Sequence, residues 1–474
     1  MKHFQLFIDG EWTDSSETID VLDKYTQTLY ATVAKADEQL VDKAIASATK
    51  AFSEQQLTPF ERYQILHKAS TLISEQKDEL AMIITKEAGK PLKQAQTEID
   101  RTSLTFLWAA EEAKRIHGEG VPVEAAPGSE NRMAFTIKVP VGVVGAISPF
   151  NFPMNLVAHK LAPALAAGNA VVLKPASKTP VSALKLARIL EEAGLPKGLL
   201  QVIAGSGSTV GNQMMKDKRI ALYTFTGSAE VGLKLKQETG LNRLILELGN
   251  NSPVIVDKEA DIALAAKTLA AQSFAFAGQV CISVQRIYVD EAIKQAFIEK
   301  LTEEMQHLKV GNPADVDTDV GPMIDEKEAE RAETWIMEAQ KDGAEVIHGG
   351  QRHGALLEPT IISNVTKDMR VVCEEIFAPV ASIISYTDLE SCIREINQSP
   401  YGLQGGIFTQ NIDTAYYAAK HVEVGGFMIN DGSQYRVDLM PYGGVKDSGN
   451  GKEGPKYSIN EMTEERLIVM NLKV

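Results

Sequence analysis

Residues 142–174 of the chain read GVVGAISPFNFPMNLVAHKLAPALAAGNAVVLK. Two short apolar runs, 142–148 and 170–174, are separated by the stretch 156–167, whose apolar residues recur at helical spacing. A strand followed by a helix and a second strand is the repeating unit of a parallel sheet with helices on both faces. This stretch therefore predicts an α/β fold.

The same alternation continues along the chain. A helix is predicted over 180–193, and the apolar runs 199–203 and 222–225 extend the series of strands. A second alternation begins near 253–256 and continues to about residue 440, which predicts another α/β domain. Residues 37–115 have a helical pattern, and residues 8–12 predict a β-hairpin.

Two segments predict a smaller β element. Residues 133–139 alternate like an exposed ribbon, and residues 466–472 form a strong apolar strand close to the end of the sequence. A strand needs a hydrogen-bonding partner, and the ribbon is a candidate either within the chain or in another subunit.

Length and composition exclude several classes of protein. The 474 residues predict about three domains, and 63 Asp and Glu against 48 Lys and Arg give a net charge of −15, which argues against nucleic-acid binding. The sequence begins without a signal-peptide pattern and has no apolar run long enough to span a membrane. Three cysteines without a CxxC pair favour a reducing compartment, so we expect a cytoplasmic protein, and the eight histidines show no metal-ligand spacing.

Three short segments contain residues suited to chemistry. Cys281 lies in FAGQVCIS (276–283), where it is a candidate nucleophile or a buried apolar filler. Glu247 lies between two leucines. It is a candidate general base or, alternatively, a partner in an ion pair. Ser228 follows Gly227 at a predicted helix start, where it either caps the helix or presents the helix N-terminus to an anion.

Taken together, seven segments resemble motifs of the aldehyde dehydrogenase superfamily, in the family's order and over essentially the whole chain. They are PFNFP (149–153), KPA (174–176), FTGS (225–228), ELG (247–249), GQVC (278–281), EEIF (374–377) and PYGG (441–444). The resemblance implies an α/β architecture with two open twisted domains and a small β ribbon for oligomerisation. It also implies an enzyme that oxidises an aldehyde with NAD or NADP.

The resemblance implies three catalytic residues. Cys281 would attack the aldehyde as a thiolate, so we expect its surroundings to lower its pKa. The side chain of Asn151 and the backbone N–H of Cys281 would stabilise the oxyanion. After the resulting thiohemiacetal has been oxidised to a thioester, Glu247 would activate the water that releases the acid.

The resemblance also implies the residues that bind the cofactor. Ser228, which follows Gly227 at a helix start, would meet the pyrophosphate, and Gly232 would allow that helix to pack closely. Lys174 would reach the ribose hydroxyls of adenosine. The other implied cofactor contacts are Ser148, Phe150, Ser177, Glu375 and Phe377.

The segment after Lys174 bears on the choice of cofactor. Many NAD-preferring members have a glutamate here that repels a 2′-phosphate, whereas this chain has Ser177 followed by Lys178. We therefore expect NADP to be accepted, and both cofactors to be used.

Two residues are predicted to bind the substrate. Arg436 lies where the family builds the mouth of its substrate tunnel, and it would bind an anionic group or else form a salt bridge with Asp438 or Asp431. Ser283, two residues after Cys281, is the second candidate. The expected substrate is a short polar or anionic aldehyde, as in the lactaldehyde, succinate-semialdehyde and non-phosphorylating glyceraldehyde-3-phosphate dehydrogenase branches.

The resemblance predicts the domain organisation. Residues 1–118 and 142–250 would form the dinucleotide-binding domain, residues 251–440 the catalytic domain, and 119–141 with 457–474 a bridging element for a homodimer or homotetramer. Two alternatives remain open, a CoA-acylating enzyme, which Glu247 disfavours, and a catalytically silent relative with a binding or structural role. We expect no metal and no membrane partner.

Overall fold

The computed structural model of the protein describes residues 2–472. The first of its two α/β units is built on a sheet of eight strands. Its five central strands are parallel, and antiparallel strands flank them at both edges. In spatial order the strands are Gly449–Asn450, Arg243–Glu247, Ile220–Thr226, Val143–Ile147, Ala170–Lys174, Leu200–Val202, Leu6–Ile8 and Glu11–Thr13.

The order of these strands creates a crevice. Val143–Ile147 lies beside Ile220–Thr226, so the chain winds outward in opposite directions from this pair. In open α/β sheets, ligands bind at such a switch point, beyond the carboxyl ends of the strands. Ser148 and Gly227 directly follow these two strands, and the crevice therefore lies where the cofactor residues were predicted.

A second sheet of seven strands carries the other α/β unit. Six of its strands are parallel, and the edge strand Glu345–His348 is antiparallel. In spatial order they are Glu345–His348, Thr360–Ser363, Val380–Tyr386, Val284–Asp290, Ser252–Val256, Gln404–Phe408 and Gly426–Ile429. Each unit has its own hydrophobic core, as expected for strands buried on both faces.

The predicted ribbon is a three-stranded antiparallel sheet. Arg132–Pro140 pairs along nine residues with Thr463–Asn471 of the same chain, and Gly120–Val121 pairs on its other side. The terminal strand therefore has its partner within the chain. Two further sheets are small. One has three strands, Lys2–Phe4, Leu29–Ala34 and Thr18–Leu22, and the other has two, Arg352–His353 and Leu356–Leu357.

The helices confirm the helical pattern predicted for residues 37–115 and for 180–193. Two of the first helices begin at side-chain caps, Asp37 and the capping box of Thr58 with Glu61. The α-helices are Glu38–Glu54, Pro59–Glu75, Lys77–Ala88, Leu92–Ala113, Asn155–Ala166, Pro180–Ala193, Asn212–Lys216, Ala229–Glu238, Ile262–Phe274, Lys294–Met305, Glu326–Lys341, Arg370–Cys373, Leu389–Asn397, Ile412–His421 and Pro455–Glu461.

The hairpin predicted at residues 8–12 is also confirmed. Ile8 pairs with Glu11, and the two turn residues Asp9 and Gly10 have φ angles of 56° and 71°. Two consecutive residues with positive φ match the twist of the flanking strands, and glycine accepts this conformation without strain.

Two further observations concern domain organisation and membranes. The short strand Gly449–Asn450 joins the first sheet from a segment that lies outside all the predicted domain ranges, whose bounds stay a prediction. Within residues 2–472, no helix combines the length and the apolar character that crossing a membrane requires.

Candidate active site

Two cavities of similar size meet at Cys281. The first, of about 400 Å³, opens between the helix Leu92–Ala113 and the loops around residues 276 and 436. The second, of about 420 Å³, lies in the crevice at the carboxyl ends of Val143–Ile147 and Ile220–Thr226. Cys281 lines both cavities, so a molecule in either one reaches its sulfur.

A strained loop carries Cys281. Phe276, Ala277 and Gly278 all have positive φ angles, of 49°, 51° and 66°. A side chain on Gly278 would collide with the backbone of Ala378, and non-glycine residues adopt this conformation only where the surrounding structure imposes it. The loop therefore fixes the half-buried thiol between the two cavities.

The pKa prediction for the nucleophile is wrong. Burial raises the pKa of the Cys281 thiol to about 12, and this outweighs a hydrogen bond from Tyr442 and the charge of Arg436, which both lower it. The Sγ atom lies 3.0 Å from the hydroxyl oxygen of Tyr442. Burial dominates because a thiolate loses more hydration energy in an apolar site than these two groups restore.

Glu247 ends a central strand next to the nucleophile. Its carboxylate is buried, and neither oxygen has a hydrogen-bond partner among the described residues. Burial and the neighbouring charge of Glu453 raise the pKa of Glu247 well above its ordinary value, against opposing effects of Arg436 and Lys160. A buried carboxylate without partners and with a raised pKa has the properties of a general base.

Asn151 is held beside the nucleophile loop. Its amide nitrogen donates to the carbonyl of Gln279 at 2.9 Å, and the residue is buried at the wall of the second cavity. Because an amide nitrogen has two N–H groups, a second one is left for another acceptor. The structure thus brings Asn151, Glu247 and Cys281 to one place, although they come from distant segments.

The inner wall of the first cavity carries buried charges. Arg101 donates two hydrogen bonds to Asp438, and His159 lies 2.8 Å from the same carboxylate. Burial acts to raise the pKa of Asp438, but the bonds with His159 and Arg101 hold it far below its usual range. Asp438 therefore stays ionised, and it holds Arg101 at the cavity wall.

Arg436 lines the same cavity. Of its two predicted roles, anion binding or a salt bridge, the structure shows a salt bridge. Its Nη2 donates to Glu453 at 3.1 Å, and its Nε lies 3.7 Å from an oxygen of Asp438. The guanidinium lies flat on the ring of Tyr442, 3.6 Å from the centroid. Its Nε has no hydrogen-bond partner among residues 2–472, so one donor is left over.

The structure does not bring Ser283 to the substrate cavity. Its hydroxyl donates to the carbonyls of Ser273 at 3.0 Å and Gln272 at 3.3 Å, at the end of the helix Ile262–Phe274. These helix carbonyls bind the hydroxyl away from the first cavity, and the role of Ser283 in substrate binding stays a prediction.

The second cavity has the groups that a dinucleotide needs. Lys174 is buried with only the carbonyl of Pro175 within reach, at 3.3 Å, and burial lowers its pKa to about 8. The hydroxyl of Ser148 is buried without a partner among the described residues. Both polar groups lie at the wall of this cavity, where ribose or phosphate oxygens would satisfy them.

A helix start faces the same cavity. Ser228 caps the helix Ala229–Glu238 by accepting the N–H of Val231, and Gly227 and Ser228 line the cavity. A side chain on Gly232 would lie 2.6 Å from Leu248, so glycine allows this helix to pack closely on the sheet. The free N–H groups and the dipole of the helix start suit a pyrophosphate.

The EEIF segment lines the second cavity together with Cys281. Glu375 accepts the N–H of Asn250 at 2.9 Å, and burial raises its pKa to about 7. Phe377 packs edge-on against Phe150, with the ring centroids 6.0 Å apart. All three predicted residues, Glu375, Phe377 and Phe150, line the cavity near Cys281.

The environment of Ser177 differs from the expectation. Its hydroxyl donates to the carbonyl of Gly205 at 2.8 Å, and it does not line the second cavity. The ammonium of Lys178, expected to add a free cation, is paired with Asp325. Its charge is therefore largely balanced before any cofactor binds.

Sequence reasoning missed the roles of Tyr442 and Arg101 in the site, and it named Asp438 only as a possible partner of Arg436. Tyr442 lies in the PYGG segment, and Asp438 follows Arg436 by two residues, so both stood within segments that had been recognised. Arg101 lies in an amphipathic helix, where an arginine gives no signal. No group of His, Cys, Asp or Glu side chains in the described part of the chain has the geometry of a metal site.

Comparison with known proteins gives a family for the chain. The model of the aldehyde dehydrogenase family matches residues 12–468. A 3-sulfolactaldehyde dehydrogenase of Priestia aryabhattai is 54% identical over 472 residues, covering 100% of this chain and 99% of the relative. A lactaldehyde dehydrogenase of Methanococcus vannielii is 41% identical over 471 residues, covering 98% of this chain and 100% of the relative.

A solved structure extends the comparison. The NADP-dependent glyceraldehyde-3-phosphate dehydrogenase of Bacillus halodurans C-125, in complex with NADP, superimposes with a TM-score of 0.97. It is 36% identical, and each chain covers 100% of the other. The predicted fold class is confirmed by this match.

Proposed function

The chain belongs to the aldehyde dehydrogenase family, and we propose that it oxidises a short anionic 2-hydroxyaldehyde to the carboxylic acid, with NADP or NAD as oxidant. The enzyme class and the use of a nicotinamide cofactor come with the family. The substrate class and the roles of individual residues are the proposal.

The observation that carries the substrate class is Arg101 at the wall of the first cavity, with the guanidinium of Arg436 behind it. Arg101 uses two of its five N–H bonds on Asp438, and its side chain is 25% exposed at the cavity wall. Arg436 lies deeper, on the ring of the tyrosine that touches Cys281. A planar guanidinium with free donors binds a sulfonate, phosphate or carboxylate in the two-point manner that these groups favour.

The relatives support the same class. The substrate names of the two curated relatives and of the solved structure all denote 2-hydroxyaldehydes, and two of the three carry a sulfonate or a phosphate. The relative with the highest identity among these three is the one named for the sulfonate. We therefore propose 3-sulfolactaldehyde as the first substrate to test.

The proposed reaction begins at Cys281. Its thiolate forms a bond to the aldehyde carbon, and the carbonyl electron pair moves to the oxygen, where Asn151 and the backbone N–H of Cys281 stabilise the charge. A nicotinamide held in the second cavity would supply the hydride acceptor, and loss of the hydride would leave an acyl thioester on Cys281. Glu247 then takes a proton from water, whose oxygen attacks the thioester carbon, and the carbon–sulfur bond breaks to release the acid.

The residues present fit a dinucleotide. The buried ammonium of Lys174 and the buried hydroxyl of Ser148 have unused hydrogen-bonding capacity, and Gly227 and Ser228 open a helix start toward the same cavity. Lys174 would hold the ribose of adenosine and Glu375 the ribose of nicotinamide. We propose that NADP is used at least as well as NAD, since Ser177 stands where a glutamate would repel the 2′-phosphate.

The wider organisation is proposed on similar grounds. Residues 1–118 with 142–250 would form the cofactor domain and 251–440 the catalytic domain, with 119–141 and 457–474 bridging subunits of a dimer or tetramer. Apolar side chains on this ribbon support the bridge, since Met133 and Leu467 are 51% and 55% exposed. Cys281, Cys373 and Cys392 are unpaired, which supports a reducing cytoplasm.

The function is tested with a panel of aldehydes and both cofactors. We expect the highest kcat/KM for 3-sulfolactaldehyde, lower values for glyceraldehyde 3-phosphate and succinate semialdehyde, and the lowest for propanal. A propanal value equal to that of the anionic aldehydes would overturn the substrate class. Adding CoA should leave the rate and the free acid unchanged, and an acyl-CoA product would favour the CoA-acylating alternative. If no aldehyde leads to the formation of NAD(P)H, the alternative of a catalytically silent relative is favoured.

A further inference from the structure

We propose that Tyr442 is a further catalytic residue, whose phenol donates a hydrogen bond to the sulfur of Cys281 and stabilises the thiolate. The inference rests on the proposed role of Cys281 as the nucleophile. The hydroxyl group of Tyr442 would stabilise the Cys281 thiolate twice, first when the thiolate attacks the aldehyde and again when the thiolate leaves the thioester.

The contact is direct and exclusive. The hydroxyl oxygen of Tyr442 lies 3.0 Å from Sγ of Cys281, within hydrogen-bonding distance for sulfur. The residue is buried, 2% exposed, and its hydroxyl has no other partner among residues 2–472. A buried hydroxyl normally finds a polar partner, and here that partner is the nucleophile itself.

The ring of Tyr442 is held from two sides. Its backbone pairs with that of Glu453 through two hydrogen bonds, of 3.1 and 2.6 Å. The guanidinium of Arg436 covers one face of the ring at 3.6 Å and is itself bound to Glu453. The hydroxyl is therefore positioned by the surrounding structure before any substrate arrives.

The phenol acts only as a donor toward a thiolate. Burial raises the pKa of Tyr442 well above its ordinary value of 10, so the hydroxyl keeps its proton throughout the working pH range. The proton of the Cys281 thiol therefore passes to solvent water, and Tyr442 stabilises the negative sulfur that remains. A hydrogen bond to an ionised acceptor is roughly twice as strong as one between neutral groups.

The same hydrogen bond serves the second half of the reaction. When water attacks the thioester, the carbon–sulfur bond breaks and its electron pair stays on Sγ of Cys281. The leaving group is again a buried thiolate, and the phenol of Tyr442 offsets part of the cost that burial imposes on it. No proton passes from Tyr442 to the sulfur in either step.

The hydroxyl is not needed for packing. Phenylalanine would keep the ring and its stacking on Arg436 and lose only the oxygen atom. Tyr442→Phe is therefore the direct test. Its control is Tyr288→Phe, which removes another buried phenol that bonds only to Arg286, on a strand of the second sheet.

The test follows alkylation of Cys281 by iodoacetamide between pH 6 and 10, and it requires no aldehyde. The exposed Cys373 is first replaced by serine, and the modified peptide is quantified by mass spectrometry. Because the raised pKa of Cys281 lies above this range, the measured quantity is the alkylation rate at fixed pH, which follows the small fraction of thiolate. We expect Tyr442→Phe to slow alkylation at pH 7.5 roughly tenfold, as a further rise of about one unit in that pKa would do. Tyr288→Phe should leave the rate unchanged.

Each outcome has one meaning. An unchanged alkylation rate in Tyr442→Phe, with a melting temperature close to that of the wild type, overturns the role of Tyr442. If that variant does not fold, a fluorinated tyrosine at position 442 replaces it. Its more acidic phenol should raise the alkylation rate at pH 7.5, and a rate that does not rise overturns the proposal. Loss of aldehyde oxidation in Cys281→Ala tests the proposed function separately, because that result does not depend on Tyr442.

Discussion

Arg101 and Asp438 are joined by two hydrogen bonds, from Nε at 2.8 Å and from Nη2 at 2.7 Å, although 337 residues separate them in the chain. The pair ties the helix Leu92–Ala113 to the loop that carries Arg436. It thereby places a cation at the wall of the cavity that leads to Cys281. This relationship is the structural basis on which we propose an anionic substrate.

Replacing Arg101 tests the anionic end of the substrate. Arg101→Met should raise KM for 3-sulfolactaldehyde about thirtyfold, since a hydrogen bond between charged groups contributes roughly 2 kcal/mol. KM for lactaldehyde should change less than threefold, because it has no anionic group. The control Arg188→Met removes an arginine that pairs with Glu191 at the surface. Equal changes for both aldehydes would contradict the role of Arg101.

Replacing Arg436 should have a broader effect. Arg436→Leu leaves the buried Glu453 without its guanidinium partner and removes the cation from the face of Tyr442. We expect kcat to fall at least tenfold with every aldehyde, and the melting temperature to fall as well. Arg436→Lys should recover part of kcat. A defect confined to KM for anionic aldehydes would instead show that Arg436 binds the substrate anion.

The pH profile tests the environment of Glu247. Only the ionised carboxylate accepts a proton, and burial together with the charge of Glu453 raises the pKa of Glu247, so kcat should fall as the pH drops through that raised pKa. Glu453→Gln removes the neighbouring negative charge and should move this acidic limb to lower pH. The control is Glu464→Gln, which removes the charge of an exposed glutamate that pairs with Arg243. A limb that stays in place or moves to higher pH in Glu453→Gln would contradict the electrostatic account.

The choice of cofactor is tested at Ser177 and at the partner of Lys178. Ser177→Glu should raise KM for NADP at least tenfold and leave KM for NAD nearly unchanged, because a carboxylate repels the 2′-phosphate. Asp325→Asn keeps a helix-capping side chain but frees the charge of Lys178, and it should lower KM for NADP. A wild-type kcat/KM that favours NAD a hundredfold would contradict the expected use of NADP.

Much of the fold was accessible from local pattern. The strands Ala170–Lys174 and Val143–Ile147 are apolar runs buried on both faces, and their sequence alone predicts them. The helix Pro180–Ala193 begins at a proline and ends before Gly194, which has φ of 95°, so its limits follow from local chemistry. Motif order then predicted that Cys281, Glu247 and Asn151 would come together.

The rest depends on contacts between distant residues. Lys178 is balanced by Asp325, 147 residues away, and nothing near Lys178 in the sequence predicts this pair. Ser283 follows the nucleophile by two residues, yet its hydroxyl turns to the end of a helix that precedes it. The raised pKa of Cys281 reflects the burial of the whole site, which a motif cannot report.

The central claim is that an acyl thioester forms on Cys281 and that Glu247 hydrolyses it. In Glu247→Gln, attack and oxidation should proceed while hydrolysis slows at least a hundredfold. The variant is mixed with 3-sulfolactaldehyde and NADP, and the masses of the intact protein and of its peptides are measured by mass spectrometry. We expect one NADPH per active site in a burst, with one acyl group retained on the Cys281 peptide. A burst without an acylated peptide, or steady turnover at the wild-type rate, would contradict the account.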